Sequence, residues 1–127
     1  MATRPTFLSG DVFTAVNANI LATSIVALNT QSGTAYTAAL TDVGKLISFT
    51  SGSAIAFTIP ANATVAFAVG DQINIYQAGT ANATITPAAT VTVRSSGAKL
   101  KTKDQFSVAT CIKIDTNEWI ALGNLSA

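Results

Sequence analysis

General acid–base catalysis near neutral pH usually relies on a histidine or on a carboxylate of raised pKa, and this sequence contains no histidine. Its acids are Asp11, Asp42, Asp71, Asp104, Asp115 and Glu118. Most stand in turn contexts, such as Val69-Gly70-Asp71 and Asp115-Thr116-Asn117, where an aspartate bonds its own backbone. A glycosidase-type pair drawn from them would be a chance arrangement. Cys111 is the only cysteine, which excludes a disulfide within the chain and a cysteine-based metal cluster. Its neighbours are apolar, and no base is at hand in the sequence to form a thiolate. A small buried or interfacial hydrophobe is the expected role. The chain is therefore expected to be no enzyme and to need no cofactor or metal.

Lys99, Lys101 and Lys103 alternate, with Arg94 just upstream. On a strand the three lysines share one face. That pattern fits a basic docking strip for an acidic partner, or an edge strand guarded by charge. Nucleic acid is not an expected partner, because aromatic residues do not interleave with these bases and the net charge is only +1. The same balance gives no attraction to an anionic membrane. Gly70, Gly79, Gly97 and Gly123 fall at separate turns rather than in a phosphate-cradling cluster. Asn62-Ala63-Thr64 and Asn82-Ala83-Thr84 match the glycosylation pattern, which has meaning only on a secreted chain. Trp119 and Tyr76 are candidate sugar-stacking platforms, with the core as the ordinary place for Trp119.

The composition points to contact between subunits. Of 127 residues only 10% are charged, against about 25% in a typical soluble domain. Apolar residues make up 49%; Ala supplies much of that share, and Thr, Ser and Asn replace the missing charges. Flat surfaces of small uncharged residues suit packing against other subunits better than free diffusion, where net charge keeps molecules apart. No secretory pattern opens the sequence, and no run of about 18 apolar residues suggests a membrane-spanning helix. Synthesis and assembly are expected in the cytoplasm.

These residues must be positioned by strands. Met1 to Gly10 lacks periodicity and reads as an extended arm. Thr14 to Leu21 reads as one short helix, with Thr14 as N-cap and Val16 and Ile20 four apart. Ala22 to Leu28 is a small-residue link or a first strand. Beyond about Thr30, period-2 alternation takes over. Ile47 and Phe49 share a side, as do Ile55, Phe57 and Ile59 before Pro60, and Ile73 and Ile75. Val91 and Val93 mark a further strand. Phe106, Val108, Ile112 and Ile114 line one face of a long strand, which turns at Asp115-Thr116-Asn117 into Glu118 to Leu122. Turn signals every 8–12 residues predict a mainly β domain, an antiparallel β-sandwich or jelly-roll-like body, with an extended N-terminal arm and one short helix. The expected division is 1–29 for arm and helix and 30–127 for the β-sandwich.

The ordered series Tyr36-Thr37-Ala38-Ala39-Leu40-Thr41-Asp42-Val43-Gly44-Lys45-Leu46-Ile47, Phe57-Thr58-Ile59-Pro60-Ala61, Val69-Gly70-Asp71-Gln72-Ile73-Asn74-Ile75-Tyr76-Gln77-Ala78-Gly79, Val91-Thr92-Val93 and Trp119-Ile120-Ala121-Leu122-Gly123 resembles a β domain of tailed-bacteriophage structural proteins. Gly10, Thr14, Ala15 and Asn19 also resemble an opening segment of phage tail and fibre proteins. The resemblance implies a cofactor-free homotrimer on the virion, assembled in the host bacterial cytoplasm. The β body follows so short an arm that a compact cap is favoured over a fibre. It further implies a capsid decoration (cement) protein bound to the major capsid protein at the capsid surface. Capsid contact would then fall to Arg4, Phe7, Leu8, Val12 and Phe13. The alternatives are a head fibre, a tail-fibre tip or another receptor-binding module, and a tail or neck adaptor.

Overall fold

The computed structural model describes residues 27–127. The predicted arm, the predicted helix over Thr14–Leu21 and most of the link to Leu28 lie outside the described residues. Within them the chain is mainly β. The first six strands are β1 (Leu28–Gln31), β2 (Ala35–Thr37), β3 (Leu46–Phe49), β4 (Ile55–Ile59), β5 (Gln72–Gln77) and β6 (Ala83–Pro87). Then come β7 (Thr92–Ser95), β8 (Lys101–Thr102), β9 (Val108–Asp115), β10 (Glu118–Gly123) and β11 (Leu125–Ser126). Short 3-10 turns occur at Leu40–Asp42 and Ser96–Ala98. Among the described residues no helix is long and apolar enough to cross a membrane. The first described strand begins at Leu28, beside the expected division after residue 29.

The strands form two sheets, one ordered β1-β3-β5-β9-β10-β7 and the other β11-β8-β6-β4-β2. Through β6 the chain alternates strictly between them. The alternating apolar residues explain the layering. Ile47 and Phe49 on β3 and Ile73 and Ile75 on β5 turn inward from the six-stranded sheet, while Ile55, Phe57, Ile59 and Ile85 turn inward from the other. Phe49, Phe57 and Tyr36 cluster there, with Tyr36 parallel to Phe57, edge-on to Phe49, and the Phe49 and Phe57 centroids 5.7 Å apart. Trp119, 1% exposed, closes the other end of the core edge-to-face on Phe67. It is a core residue, not a sugar platform.

Strand direction departs from the antiparallel expectation. The β1/β3, β3/β5, β2/β4, β4/β6 and β7/β10 ladders are parallel. Only β5/β9, β9/β10, β6/β8 and β8/β11 are antiparallel. Alternation reports which side of a strand is buried and is silent about its direction. A parallel pair needs a long crossover, and here the crossover is itself a strand of the opposite sheet. The result is a coil in which β1, β3 and β5 stack on one side and β2, β4 and β6 on the other.

The apolar stripe read on β9 is real, yet it faces outward. Ala109, Cys111 and Lys113 are the buried residues, whereas Val108 and Ile114 are exposed and Ile112 is half-buried. Phe106 precedes the strand rather than belonging to it. β9 runs between β5 and β10, and its inward positions carry the small Ala109 and Cys111 and the hydrogen-bonded Lys113. Gly123 ends β10 with φ +127°, and a side chain there would meet the Val108 carbonyl at 2.4 Å.

Candidate functional site

The outer faces of the two sheets differ in character. Register places Leu28, Leu46, Asn74, Thr110 and Leu122 in one cross-strand row of the six-stranded sheet. Gln72, Ile112, Ile120 and Arg94 form a second row, and Thr30, Ser48, Tyr76 and Val108 a third. Leu28 is 63% exposed and Leu122 51%, while Ser48 in the third row is buried, so exposed apolar side chains flank a polar centre. Its central polar groups bond one another. Asn74 Oδ1 accepts from Thr110 Oγ1 at 2.8 Å and from Gln72 Nε2 at 3.0 Å, and Asn74 Nδ2 donates to the Lys45 carbonyl at 3.3 Å. The opposite sheet presents Ala35, Ala56, Thr84, Lys101 and Ser126 in one row and Thr37, Thr58 and Thr86 in the next. Small residues and hydroxyls make that face well hydrated.

The basic residues do not form one strip. Lys101 lies on β8, flanked by exposed Lys99 and Lys103, while Thr102 between them is buried. Strand β8 pairs with both β6 and β11, so the lysines guard no sheet edge. Arg94 belongs to the other sheet, on its edge strand β7, and forms an ion pair with Glu118. The sequence could not reveal this split, because the 3-10 turn at Ser96–Ala98 moves the chain between sheets. Arg4, Phe7, Leu8, Val12 and Phe13 lie outside the described residues.

Asp11 lies outside the described residues; Asp42, Asp71 and Asp115 each have a local task. Asp42 is buried, and its carboxylate accepts from Asn29 Nδ2 at 2.8 Å, Tyr36 OH at 2.7 Å and the Ala39 N–H at 2.8 Å. This ties β1, β2 and the following 3-10 turn together. Burial, and then the neighbouring Asp42, hold the Tyr36 hydroxyl above its ordinary pKa of 10.0, opposed by a hydrogen bond from Asn29. Asp71 accepts from the Ala68 N–H, and Asp115 from the Thr116 N–H. Among the described residues, no group of three or more His, Cys, Asp or Glu is placed to hold a metal ion.

Two buried groups escaped sequence reasoning. Lys113, 2% exposed, points its ammonium at Asn62 Oδ1 and the Phe67 carbonyl, both at 2.7 Å. It anchors the loop between β4 and β5, and no signal in its strand distinguished it from a surface lysine. Gln77 and Thr102 form the second. Thr102 Oγ1 donates to Gln77 Oε1 at 2.6 Å and accepts from the Ala83 N–H at 2.8 Å, linking the two sheets. Asn82 donates to the Thr102 carbonyl at 2.5 Å. The asparagines of both glycosylation-like triplets are thus engaged in internal hydrogen bonds.

Cys111 is fully buried, and loss of solvation pushes its thiol up to about 12. A cleft of about 240 Å³ opens beside Ser95, Ser96, Lys99, Leu122 and Leu125; ligand pockets usually start at about 300 Å³. The chain matches no protein-family model, no curated protein and no solved structure.

Proposed function

We propose that this protein is a bacteriophage capsid decoration (cement) protein, a homo-oligomer, and by its resemblance a homotrimer, that binds the major capsid protein lattice at the virion surface. The observation that carries the reading is the contrast between the outer faces of one small body. One carries leucine, isoleucine and valine side chains about a polar centre, the other a lattice of Ala and Thr with Lys101. Such a body offers separate surfaces for its own copies and for a partner. The low charge and the ordered phage-like series from Tyr36 to Gly123 support it, and we assign the protein no catalysis and no cofactor.

The mechanism is mechanical. Copies seated where capsid subunits meet bury apolar surface across the seams and oppose the pressure of packaged DNA. Arg4, Phe7, Leu8, Val12 and Phe13 are the assigned capsid contacts. Ordering a segment costs roughly 1–2 kcal/mol per residue, so its apolar side chains must be buried to hold. Purified protein added to phage heads that lack it, imaged by cryo-electron microscopy, tests this reading. Regular new density over the capsid faces is expected, and bare faces would refute it.

A head-fibre, tail-fibre-tip or receptor-binding role is the second reading. One observation favours it: the parallel stacking of β1, β3 and β5 against β2, β4 and β6 is a coil able to grow along a single axis. Density only at a vertex or tail, together with binding of purified protein to host cells, would select it.

A further inference from the structure

We infer that the outer face of the six-stranded sheet is the surface through which this protein binds further copies of itself. The inference rests on the reading of the chain as a self-associating structural protein, and it names the surface responsible. Contiguous exposed apolar patches beyond a few hundred Å² mark interaction sites. Here Leu28 and Leu46 on β1 and β3, and Val108, Ile112, Ile120 and Leu122 on β9 and β10, share one face across four of its six strands, on either side of the Gln72, Asn74 and Tyr76 of β5.

Three properties fit a second copy as occupant. The first is charge. Copies gathered about a rotation axis bring residues near that axis against their own symmetry mates, so an uncompensated charge there would repel itself. The three cross-strand rows carry no charged side chain until Arg94 at the β7 edge, which Glu118 neutralises. A partner recognised through charge would require a complementary pattern here. The second is the state of the polar groups. Asn74, Thr110 and Gln72 are bonded to one another within the subunit, so covering them strands no donor among these bonds. The third is size. Six strands span about 24 Å at about 4.8 Å per spacing and average about 18 Å in length, giving roughly 400 Å² per face in projection. Two such faces reach about 800 Å², in the size range of weak, reversible association.

The test uses the full-length chain, with mass read by light scattering after gel filtration from about 1 to 100 μM, a range typical of moderately stable complexes. The wild type is expected at a multiple of 12.9 kDa. Leu28→Glu and Leu122→Glu alter exposed side chains on β1 and β10, so each subunit should keep its circular dichroism spectrum while association weakens at least about a hundredfold. Leu40→Glu, equally exposed but outside this sheet, should leave the mass unchanged. Should one face variant fail to fold, the other, on a different strand, keeps the test intact. A wild type that is monomeric throughout overturns the inference, as do folded face variants that keep the wild-type mass. Binding to phage heads, measured alongside, separates the two conclusions. Oligomers dispersed by the face variants in a protein that ignores heads would leave the inference standing and remove the capsid reading. Head binding by a protein whose face variants stay oligomeric would do the reverse.

Discussion

The hydroxyl of Tyr36 donates to the buried carboxylate of Asp42 across 2.7 Å, and Asn29 donates to both. β1, β2 and the Leu40–Asp42 turn are held together by this one acceptor. Asp42→Ala would leave the Tyr36 hydroxyl, the Asn29 amide and the Ala39 N–H short of an acceptor. Since each buried unsatisfied donor costs about 1–3 kcal/mol, a loss of at least about 3 kcal/mol is expected in urea unfolding. A loss below about 1 kcal/mol would show that water replaces the carboxylate freely.

The same pair sets an alkaline limit. Tyr36 titrates above 10.0 in the fold, while an unfolded tyrosine titrates near 10. Above that value the folded chain retains a proton that the unfolded chain has released. Its contribution to stability is therefore complete below about pH 10 and falls as the pH rises through the folded pKa. Tyr36→Phe should flatten this decline. Equal slopes for wild type and variant, measured by urea unfolding at stepped alkaline pH, would rule the linkage out.

Burial makes the thiol of Cys111 inert. With its pKa near 12, only about one thiol in ten thousand is ionised at about pH 8, and no path leads a reagent to it. Ellman's reagent should react only as fast as the protein opens, and at once in denaturant. Rapid reaction of the native chain would contradict the burial.

Lys113 fastens the loop between β4 and β5 through Asn62 and Phe67. Lys113→Met keeps the packed stem and removes both hydrogen bonds. Charge-assisted bonds are each worth about 1.5–3 kcal/mol, so amide exchange at Thr64 and Val65 should quicken about tenfold or more. Exchange at Ile75, inside β5, should not change. Faster exchange at both places would mean global destabilisation rather than a loosened loop.

Much of the fold was legible because burial imposes a period on strands. Ile55, Phe57 and Ile59, or Ile73 and Ile75, announce an inward face whatever their neighbours do. Direction carries no such mark, and the parallel ladders therefore stayed hidden. On β9 the size of the side chains misleads, since Ile112 and Ile114 are more apolar than Cys111 and Lys113. Lys113 turns inward only because the distant Asn62 and Phe67 supply its acceptors. The lysines near β8 suggested a guarded edge, but whether a strand is central depends on β11, which arrives later in the chain. The outward apolar face, the strongest candidate surface, emerges only when the register brings Leu28, Leu46 and Leu122 into line.

Phe106 supplies the last prediction. It is 65% exposed and holds φ at +74°, a conformation that bulky residues avoid at about 1–2 kcal/mol. Its N–H donates to the Gln77 carbonyl at 2.7 Å, which keeps the backbone there. Glycine adopts this region freely, although it also raises the entropy of the unfolded chain by about 0.4–1 kcal/mol. Little buried area is lost, so Phe106→Gly should stabilise the subunit by up to about 1 kcal/mol, the balance of those two terms. Val108→Gly, two residues on and within β9, should destabilise it, because there the backbone is ordinary and glycine only weakens the strand. Thermal melts of both variants decide the matter. Destabilisation by Phe106→Gly would mean that the ring contributes packing worth more than the backbone energy its φ costs.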